Sequence, residues 1–518
     1  MSWLDNAIAF VSPEWGAKRA AWRGAYEEMR NYDAGNMGRL NAGWRVSNAS
    51  ADATDRGSRD YVRARARDLE RNSDIMNGVL GAFKRNVIGN GFQLQVKTGK
   101  EKTNEELEKL WKKWCKARNC DVTGAQSLNQ MLRMAVVRKK VDGGVLFVKR
   151  YTRDGMIPLS IQMIEVDELD QMQVTPKYSG NRVVGGIEFN SYNRPVGYWI
   201  RQYQIDGFSL QEPEFLKASD VIFYYTKKRP SQVREMSDMS QTLTRVRDVN
   251  EFITAVSVKQ RIEACLAVFI KKALPVSGLG RSSSGPSEER YSYDGKTLTP
   301  GMIKELNAGD DVEVVNPTGQ GQDAASFVKL QQRLVGAGQG ISYEATSRDM
   351  SQSTYSSARQ GMIEDQMTFN EEQEQIIAVL DEIYESFVIS CVLSGKVTVS
   401  DFWDRIEDYL EHEWIRQPKQ WIDPAKEATA TKTALNSGIK TFKQVCAENG
   451  VDWRSQLQDQ AEVKETAEEL GLGNFLGGVI FDGKLQEKQA LPGEQETPDK
   501  GTGNTEPGGQ EQGDEGTG

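Results

Sequence analysis

The spacing of apolar positions changes along this chain, and the changes divide it. Up to Arg56 no strong period emerges. Beyond Asn72-Ser73, Ile75, Val79 and Phe83 recur every four residues, the spacing of one helix face. Between 86 and 226 the pattern is mixed. GFQLQVK (91–97) alternates as a half-buried strand does. GGVLFVKR, PLSIQMIEV, RVVGGIEF, PVGYWIRQYQ and DVIFYYT are rich in β-branched and aromatic residues between Gly, Pro and Asn turns, so they read as strands. Helices are predicted at 101–118 and 127–141, which makes this span α+β.

After Pro230 the period lengthens. Met239, Leu243, Val246, Ile253 and Val256 recur at helical spacing and predict a long amphipathic helix. PVSGLGRSSSGPSEER (275–290) has a loop composition, and DVEVVNP (311–317) reads as a short strand. A second helix is predicted over 322–340, with Phe327, Leu330 and Leu334 on one face. The polar stretch SYEATSRDMSQSTYSSARQ (342–360) lacks hydrophobic anchors and reads as a loop. Loops of that length inside a domain are usually functional or disordered. Phe369, Ile376, Leu380, Ile383, Phe387 and Cys391 then mark another long helix. Short capped helices follow: Asp423-Pro424 with a stop at Gly438, Thr441 to Gly450, and Asp452 to Gly471.

Charge adds two features to this outline. The 518 residues carry 65 Lys and Arg against 74 Asp and Glu, a net −9, which argues against coating nucleic acid by bulk positive charge. Much of the excess lies in 486–518, an acidic tail without large apolar side chains, predicted to be disordered because it cannot bury enough surface to order itself. The other feature is a basic run at 56–71, six arginines against three acids. It suits a phosphate-facing patch, or a solvated helix face with internal ion pairs, the commoner case. No apolar run approaches the twenty residues of a membrane helix. The opening residues lack the basic start and cleavage site of a signal peptide. Cysteines 115, 120, 265, 391 and 446 are scattered, as in a reduced cytosolic chain.

Candidate chemistry is sparse. One histidine, His412, excludes multi-His zinc sites and would have to serve alone in any Ser-His or Cys-His device. Gly295-Lys296-Thr297 ends like a phosphate-binding loop, but Arg290 stands where the first glycine belongs. The Gly471–Gly477 glycines follow a helix rather than a strand. Cys115 and Cys120 lack a second pair for zinc. Asp401, Asp404, Asp408 and Glu411 would share a face if 401–411 were helical, which suits a magnesium-dependent nuclease or, more often, a wet surface. Thr441–Ala461 could form a helix-turn-helix, but its second helix is acidic.

Four blocks, in order, resemble the lambda-family phage portal proteins. They are ARARDLERNSDIMNGVLGAFKRNVIGNGFQLQ (64–95), TLTPGMIKELNAGDDVEVVNP (297–317), GQGISYEATSRDMSQSTYSSARQGMIED (338–365) and WIDPAKEATATKTALNSGIKTFKQVCAENGVDW (421–453). Together the matches span about residues 56–470. The resemblance implies an α+β portal-type ring subunit that is not an enzyme and needs no cofactor. It implies a dodecameric homo-oligomer at one capsid vertex of the virion, assembled in the host cytoplasm. Double-stranded DNA would pass through its channel during packaging and ejection. Partners would be the terminase large subunit, head–tail adaptors, and the major capsid and scaffold proteins, with no membrane.

Carried onto this chain, an N-terminal arm spans 1–55 and an α+β wing 56–236. Stem helices fall at 237–265 and 323–341 with a clip at 266–322 between them. A tunnel loop spans 342–358, a long wing helix 359–395, and a helical crown 396–485. The DNA-channel loop would present Ser342, Arg348, Asp349, Gln352 and Tyr355, with Arg348 as its only cation. The clip would offer Arg281, Glu288 and Glu289 to the motor. The alternatives are another virion head or connector protein, or a nuclease built on Asp401, Asp404 and Asp408.

Overall fold

Short polar side chains begin most helices of this protein, and each opens its helix by accepting backbone N–H bonds. A computed structural model describes residues 10, 12–30, 43, 46–152, 155–204, 206–207, 209–264, 268–270, 303–305, 321–351, 354–418 and 423–471. The first helices are α1 (Pro13–Arg30), α2 (Ala51–Asp55), α3 (Arg59–Asn72) and α4 (Asp74–Phe83). Ser73 caps α4 by accepting from the Met76 N–H, and a π-helical turn, Lys84–Ile88, continues it. Strand β1 (Gln93–Val96) precedes α5 (Glu101–Trp114), α6 (Ala117–Cys120) and α7 (Leu128–Asp142). Helix α7 opens on a Ser127–Gln130 capping box and stops at Gly143, whose φ of 94° favours glycine.

Seven strands follow: β2 (Gly144–Arg150), β3 (Ser160–Ile164), β4 (Arg182–Val184), β5 (Ile187–Phe189), β6 (Pro195–Ile200), β7 (Glu214–Lys217) and β8 (Val221–Tyr225). Next come α8 (Leu243–Ala264), β9 (Val268–Ile270), β10 (Ile303–Glu305), α9 (Gly321–Gln339), α10 (Tyr343–Ser347) and α11 (Tyr355–Leu393). Helix α12 (Ile406–Leu410), β11 (His412–Ile415), α13 (Pro424–Asn436) and α14 (Phe442–Glu448) complete one unit, 1–450. The second unit, 451–518, contains α15 (Trp453–Glu469), capped by Asp452.

The sheets are small and mostly antiparallel. Strand β2 is central in the order β3-β2-β8, and β4 to β7 form a meander. Strands β9 and β10 pair in parallel. Strand β1 pairs antiparallel with β11, so Gln93 lies opposite Ile415 and Val96 opposite His412. The main core joins Met76, Val79 and Phe83 of α4, Trp111 and Trp114 of α5, Leu132 and Val136 of α7, and Ile376, Tyr384 and Phe387 of α11. A smaller core, with Leu146, Ile187, Tyr198 and Ile200, lies under the meander.

Several expectations are corrected here. The opening stretch contains α1, which starts at Pro13 and leaves Trp15 and Trp22 exposed. The segment read as helical from 396 onward includes β11, because His412–Ile415 completes a ladder with β1. Helix 101–118 breaks at Trp114 and resumes as α6. Strand 311–317, the loop 275–290 and the acidic tail 486–518 lie outside the described residues.

The basic run is ion-paired, as expected of the blander reading, but Arg59 and Arg63 are buried rather than solvated. Arg59, Arg63 and Arg67 follow at i, i+4 and i+8 on α3 and turn inward. Arg59 reaches Asp52 at 2.7 Å, and Arg63 reaches Asp167 at 2.8 Å and Glu235 at 3.0 Å. Arg67 reaches Asp142 at 2.6 Å. Arg234 and Glu235, both fully buried, pair at 2.7 Å. Arg56, Arg65 and Arg71 remain on the exposed side.

A second charged cluster roots α8. Glu372 of α11 accepts from Lys139 at 2.5 Å and Lys140 at 2.7 Å. Asp238, before α8, lies 3.4 Å from Lys139, 3.6 Å from Lys140 and 3.1 Å from Lys228. Burial pushes both carboxyls up, but the lysines win and hold them below the usual carboxylate range.

Glu168 behaves in the opposite sense. It ends a 3-10 turn, Val166–Glu168. Burial, with help from the Glu165 and Asp167 charges, pushes its carboxyl up to about 7. The folded state therefore binds a proton that the unfolded chain releases near 4.5. Stability should fall as pH rises from about 4.5 through about 7 on this group's account. Glu168→Gln should flatten that slope in melting temperatures measured across the window. An unchanged slope would show that Glu168 is not its source.

Candidate functional site

The polar stretch 342–360 is the segment whose composition asks most for a function, and its short side chains organise it. Ser342 caps α10: its hydroxyl accepts from the Ala345 N–H at 3.2 Å. The same serine is held to α11, its N–H donating to Asp365 at 2.6 Å and its hydroxyl at 2.7 Å. Burial pushes the Asp365 carboxyl up, and the Ser342 hydrogen bonds only partly offset this. Thr346 is buried, and its carbonyl packs so close to Gly78 that a Cβ there would stand 2.6 Å away.

The expectation of an unanchored loop over 342–358 is therefore corrected. Its first third is a helical turn packed on Gly78 of α4 and tied to α11 by the Ser342–Asp365 bonds, which an apolar pattern does not reveal. Thr354 and Ser357 form a capping box, so α11 starts at Tyr355 rather than 359. In the stretch between the two helices the described residues are 348–351 and 354.

Within it, Arg348 is exposed and adopts the left-handed region at φ 60°, ending α10 through its N–H to the Glu344 carbonyl. Asp349 turns back: it accepts from the Ser351 N–H at 3.0 Å and from the Tyr343 hydroxyl at 3.1 Å. Hydrogen bonds from the Ser351 hydroxyl and N–H, and then from Tyr343, hold its carboxyl below the usual range. Of the expected loop residues, Ser342 and Asp349 are thus anchors, and Arg348 faces outward. Tyr355 is the first residue of α11. Gln352 lies outside the described residues, as do Arg281, Glu288 and Glu289 of the expected clip.

Beside this segment is a groove of about 680 Å³ between the N-terminal half of α11, the π turn and helices α13 and α14. Met362, Ile363 and Met367 line it, all exposed, with Arg85, Arg359 and Arg416 around them. Arg359 pairs with Glu427 at 2.7 Å and Arg416 with Glu374 at 3.6 Å. The π turn offers Arg85. Its unpaired carbonyls are met by side chains: Gln373 donates to Asn86 at 3.1 Å and Val87 at 3.2 Å, Gln417 to Arg85 at 3.3 Å, and Arg133 to Gly89 at 2.9 Å. Sequence reading missed this turn, since its length signal is a single extra residue within an otherwise helical run.

The acidic candidates do not converge. Only Ile406–Leu410 is helical in that region, so Asp401, Asp404, Asp408 and Glu411 do not form one helix face. Asp401 accepts from Lys100 at 3.2 Å and from the Tyr409 hydroxyl at 2.8 Å, and Asp408 from Arg405 at 2.7 Å. Among the described residues, no three His, Cys, Asp or Glu side chains are grouped to hold a metal ion. His412 sits in an aromatic cluster, its ring 4.3 Å from that of Tyr384. One ring nitrogen faces Asp381 at 2.9 Å and the other the Leu410 carbonyl at 2.6 Å. Cys120 is buried and its thiol is pushed up to about 12, chiefly by burial, which makes it a poor nucleophile. No described helix is long and apolar enough to cross a membrane.

Comparison with known proteins gives consistent matches. Residues 37–373 match the family described as phage portal protein, lambda family. The probable portal protein of Halomonas phage phiHAP-1 is 24% identical over 467 residues, 87% of this chain and 89% of that relative. Portal protein B of Escherichia phage lambda is 21% identical, over 83% of this chain and 88% of the relative. The portal protein of Escherichia phage N15 is 20% identical, over 85% and 90%. A chain from the virion of a native gene transfer agent particle overlaps 74% of this chain and 93% of its own length, at 12% identity and a TM-score of 0.40.

Proposed function

The chain belongs to the lambda family of phage portal proteins, and we propose on that footing that it closes into a ring, about twelve copies around a DNA channel, at one capsid vertex. One observation on the molecule supports closure most directly. Helices α8 and α9 meet through Phe252 and Phe327, whose ring centroids are 4.6 Å apart. Yet Ile253, Val258, Phe327, Leu330 and Leu334 on these helices stay exposed. An apolar stripe of this length on paired helices is not left to water in a stable protein. A head-to-tail contact repeated by rotation covers it on every copy and closes without a free end.

In this reading α8 and α9 are the stem, and the segment after α10 borders the channel as a tunnel loop. The span 266–322, including Arg281, Glu288 and Glu289, is the clip that meets the terminase large subunit and later the head–tail adaptors. The wing faces the major capsid and scaffold proteins. The protein acts structurally, as a virion component assembled in the host cytoplasm, and duplex DNA is cargo rather than substrate. Electron microscopy of the purified full-length protein tests this. Class averages should show a ring with a central channel, and the 348–354 segment should face the lumen. A uniform population of monomers at micromolar concentration would overturn the proposal.

A further inference from the structure

The groove between α11, the π turn, α13 and α14 combines two features that one partner has to satisfy together. Met362, Ile363 and Met367 line it with exposed apolar side chains. Cations also outnumber carboxylates in its lining: Arg85, Arg359, Arg416 and Lys440 stand against Glu427 and Glu448, in a chain whose net charge is −9. Those two carboxylates pair with Arg359 and Lys440. The excess therefore sits at Arg85 and at Arg416, which lies 3.6 Å from the exposed Glu374. Helix α13, one wall of the groove, has no buried residue, and a helix of its 13 residues is marginal in water unless a face of it packs. Methionine adapts to what it meets and is much used at binding surfaces. Such a groove suits an amphipathic helix with apolar anchors and acidic flanks.

The chain carries a helix of that kind. Helix α15 has five acids against two bases, a net −3. By helical periodicity Trp453, Leu457, Val463 and the C-cap Leu470 fall on one stripe, with Asp459 on one flank and Glu468 on the other. Leu457, Val463 and Leu470 are exposed, and Ala467 is the one buried residue of the helix. One exposed face of the protein is thus basic and apolar, and another is acidic and apolar.

We propose that α15 of one subunit docks in the groove of a second copy. This rests on the ring reading above and names the two faces of a further subunit contact, separate from the α8–α9 stripe. The contact joins unlike faces, so each copy offers one helix and one groove, and the repeat closes by rotation. Leu457, Val463 and Leu470 pack on Met362, Ile363 and Met367 and supply most of the affinity, while the acidic flanks meet Arg85 and Arg416 and fix the register.

The test uses full-length protein with one cysteine introduced on each face, Met367→Cys in one variant and Leu457→Cys in another. Both positions are exposed, so neither change opens the core. The variants are expressed singly, together, and as a double variant. Each preparation, with wild type as the background for the native cysteines, is treated with a short bismaleimide and read on denaturing gels beside electron micrographs. The expected result is a cross-linked dimer from the co-expressed pair, none above background from either variant alone, and a ladder of multimers from the double variant. A double variant that cross-links only within its own chain overturns the proposal. So do dimers from either single variant, which would show like faces meeting. Rings that give no cross-link overturn the contact and leave the ring reading standing. Monomers in every preparation, wild type included, overturn both. A second measurement needs no cross-linker. Leu457→Glu should raise the concentration at which rings dissociate on dilution by about tenfold, the equivalent of one lost apolar anchor. Thr466→Glu, which adds the same charge to α15 away from the stripe, should leave it unchanged. Equal dissociation of the two variants overturns the contact.

Discussion

Glu372→Gln is expected to lower the free energy of unfolding by about 3–5 kcal/mol, the usual cost of breaking a buried ion pair from one side. The carboxylate accepts from two lysines that are themselves almost fully buried, Lys139 and Lys140. Removing it leaves two cations in the core with only Asp238 to balance them. Lys140 also lies 4.0 Å from the centroid of the Phe83 ring, so it cannot swing to water without opening the core. The midpoint of urea unfolding should fall accordingly. Adding Lys140→Met to the same chain should recover part of the loss, because the charge left unmatched is then gone. A cost below about 1 kcal/mol would mean that the lysines find other partners or water. The cluster also sets the acid limit. Because the folded-state carboxyls of Glu372 and Asp238 lie below their ordinary values, their contribution is present above about 4.5 and is lost as pH falls through the folded values. Glu372→Gln should flatten that acid limb.

Leu330→Lys combined with Leu334→Lys is expected to prevent ring closure while leaving the subunit folded. Both side chains lie on the exposed face of α9, 53% and 38% accessible. Lysine at exposed helical positions costs the monomer little. At a subunit contact, the same change forfeits about 1 kcal/mol or more of apolar burial per leucine and buries charge as well. A loss of about 4 kcal/mol at each contact weakens it on the order of a thousandfold. Light scattering should therefore report monomers with an unchanged far-ultraviolet spectrum. Rings that persist in the double variant would place the subunit contact elsewhere on the molecule.

Elements with a strong internal period were legible in the sequence. Helices α8, α9 and α11 follow from apolar spacing, and β2, β3 and β8 from β-branched runs. What escaped was set by partners far along the chain. The spacing of Arg59, Arg63 and Arg67 suggests one helix face, but nothing local says that Glu235 waits to bury it. The four residues of β11 read as part of a helical crown until β1 is placed beside them. Ser342 anchors its segment to α11 through its N–H and hydroxyl, a signal that a search for hydrophobic anchors cannot see. The membership of the family was legible from four blocks in order.

The pairing of β1 with β11 also has a consequence in time. A ribosome adding 5–20 residues per second needs roughly 15–60 s to pass from residue 96 to residue 412. Throughout that interval β1 has no strand beside it, and an unpaired edge invites other nascent chains. One of its N–H groups is covered at once, since the Val96 N–H donates to Glu108 at 2.9 Å, only twelve residues later. The Thr98 N–H is taken the same way by Asn104 at 3.0 Å. Helix α5 thus acts as an early guard on the strand, and the last cross-strand bonds wait until the distant segment is made.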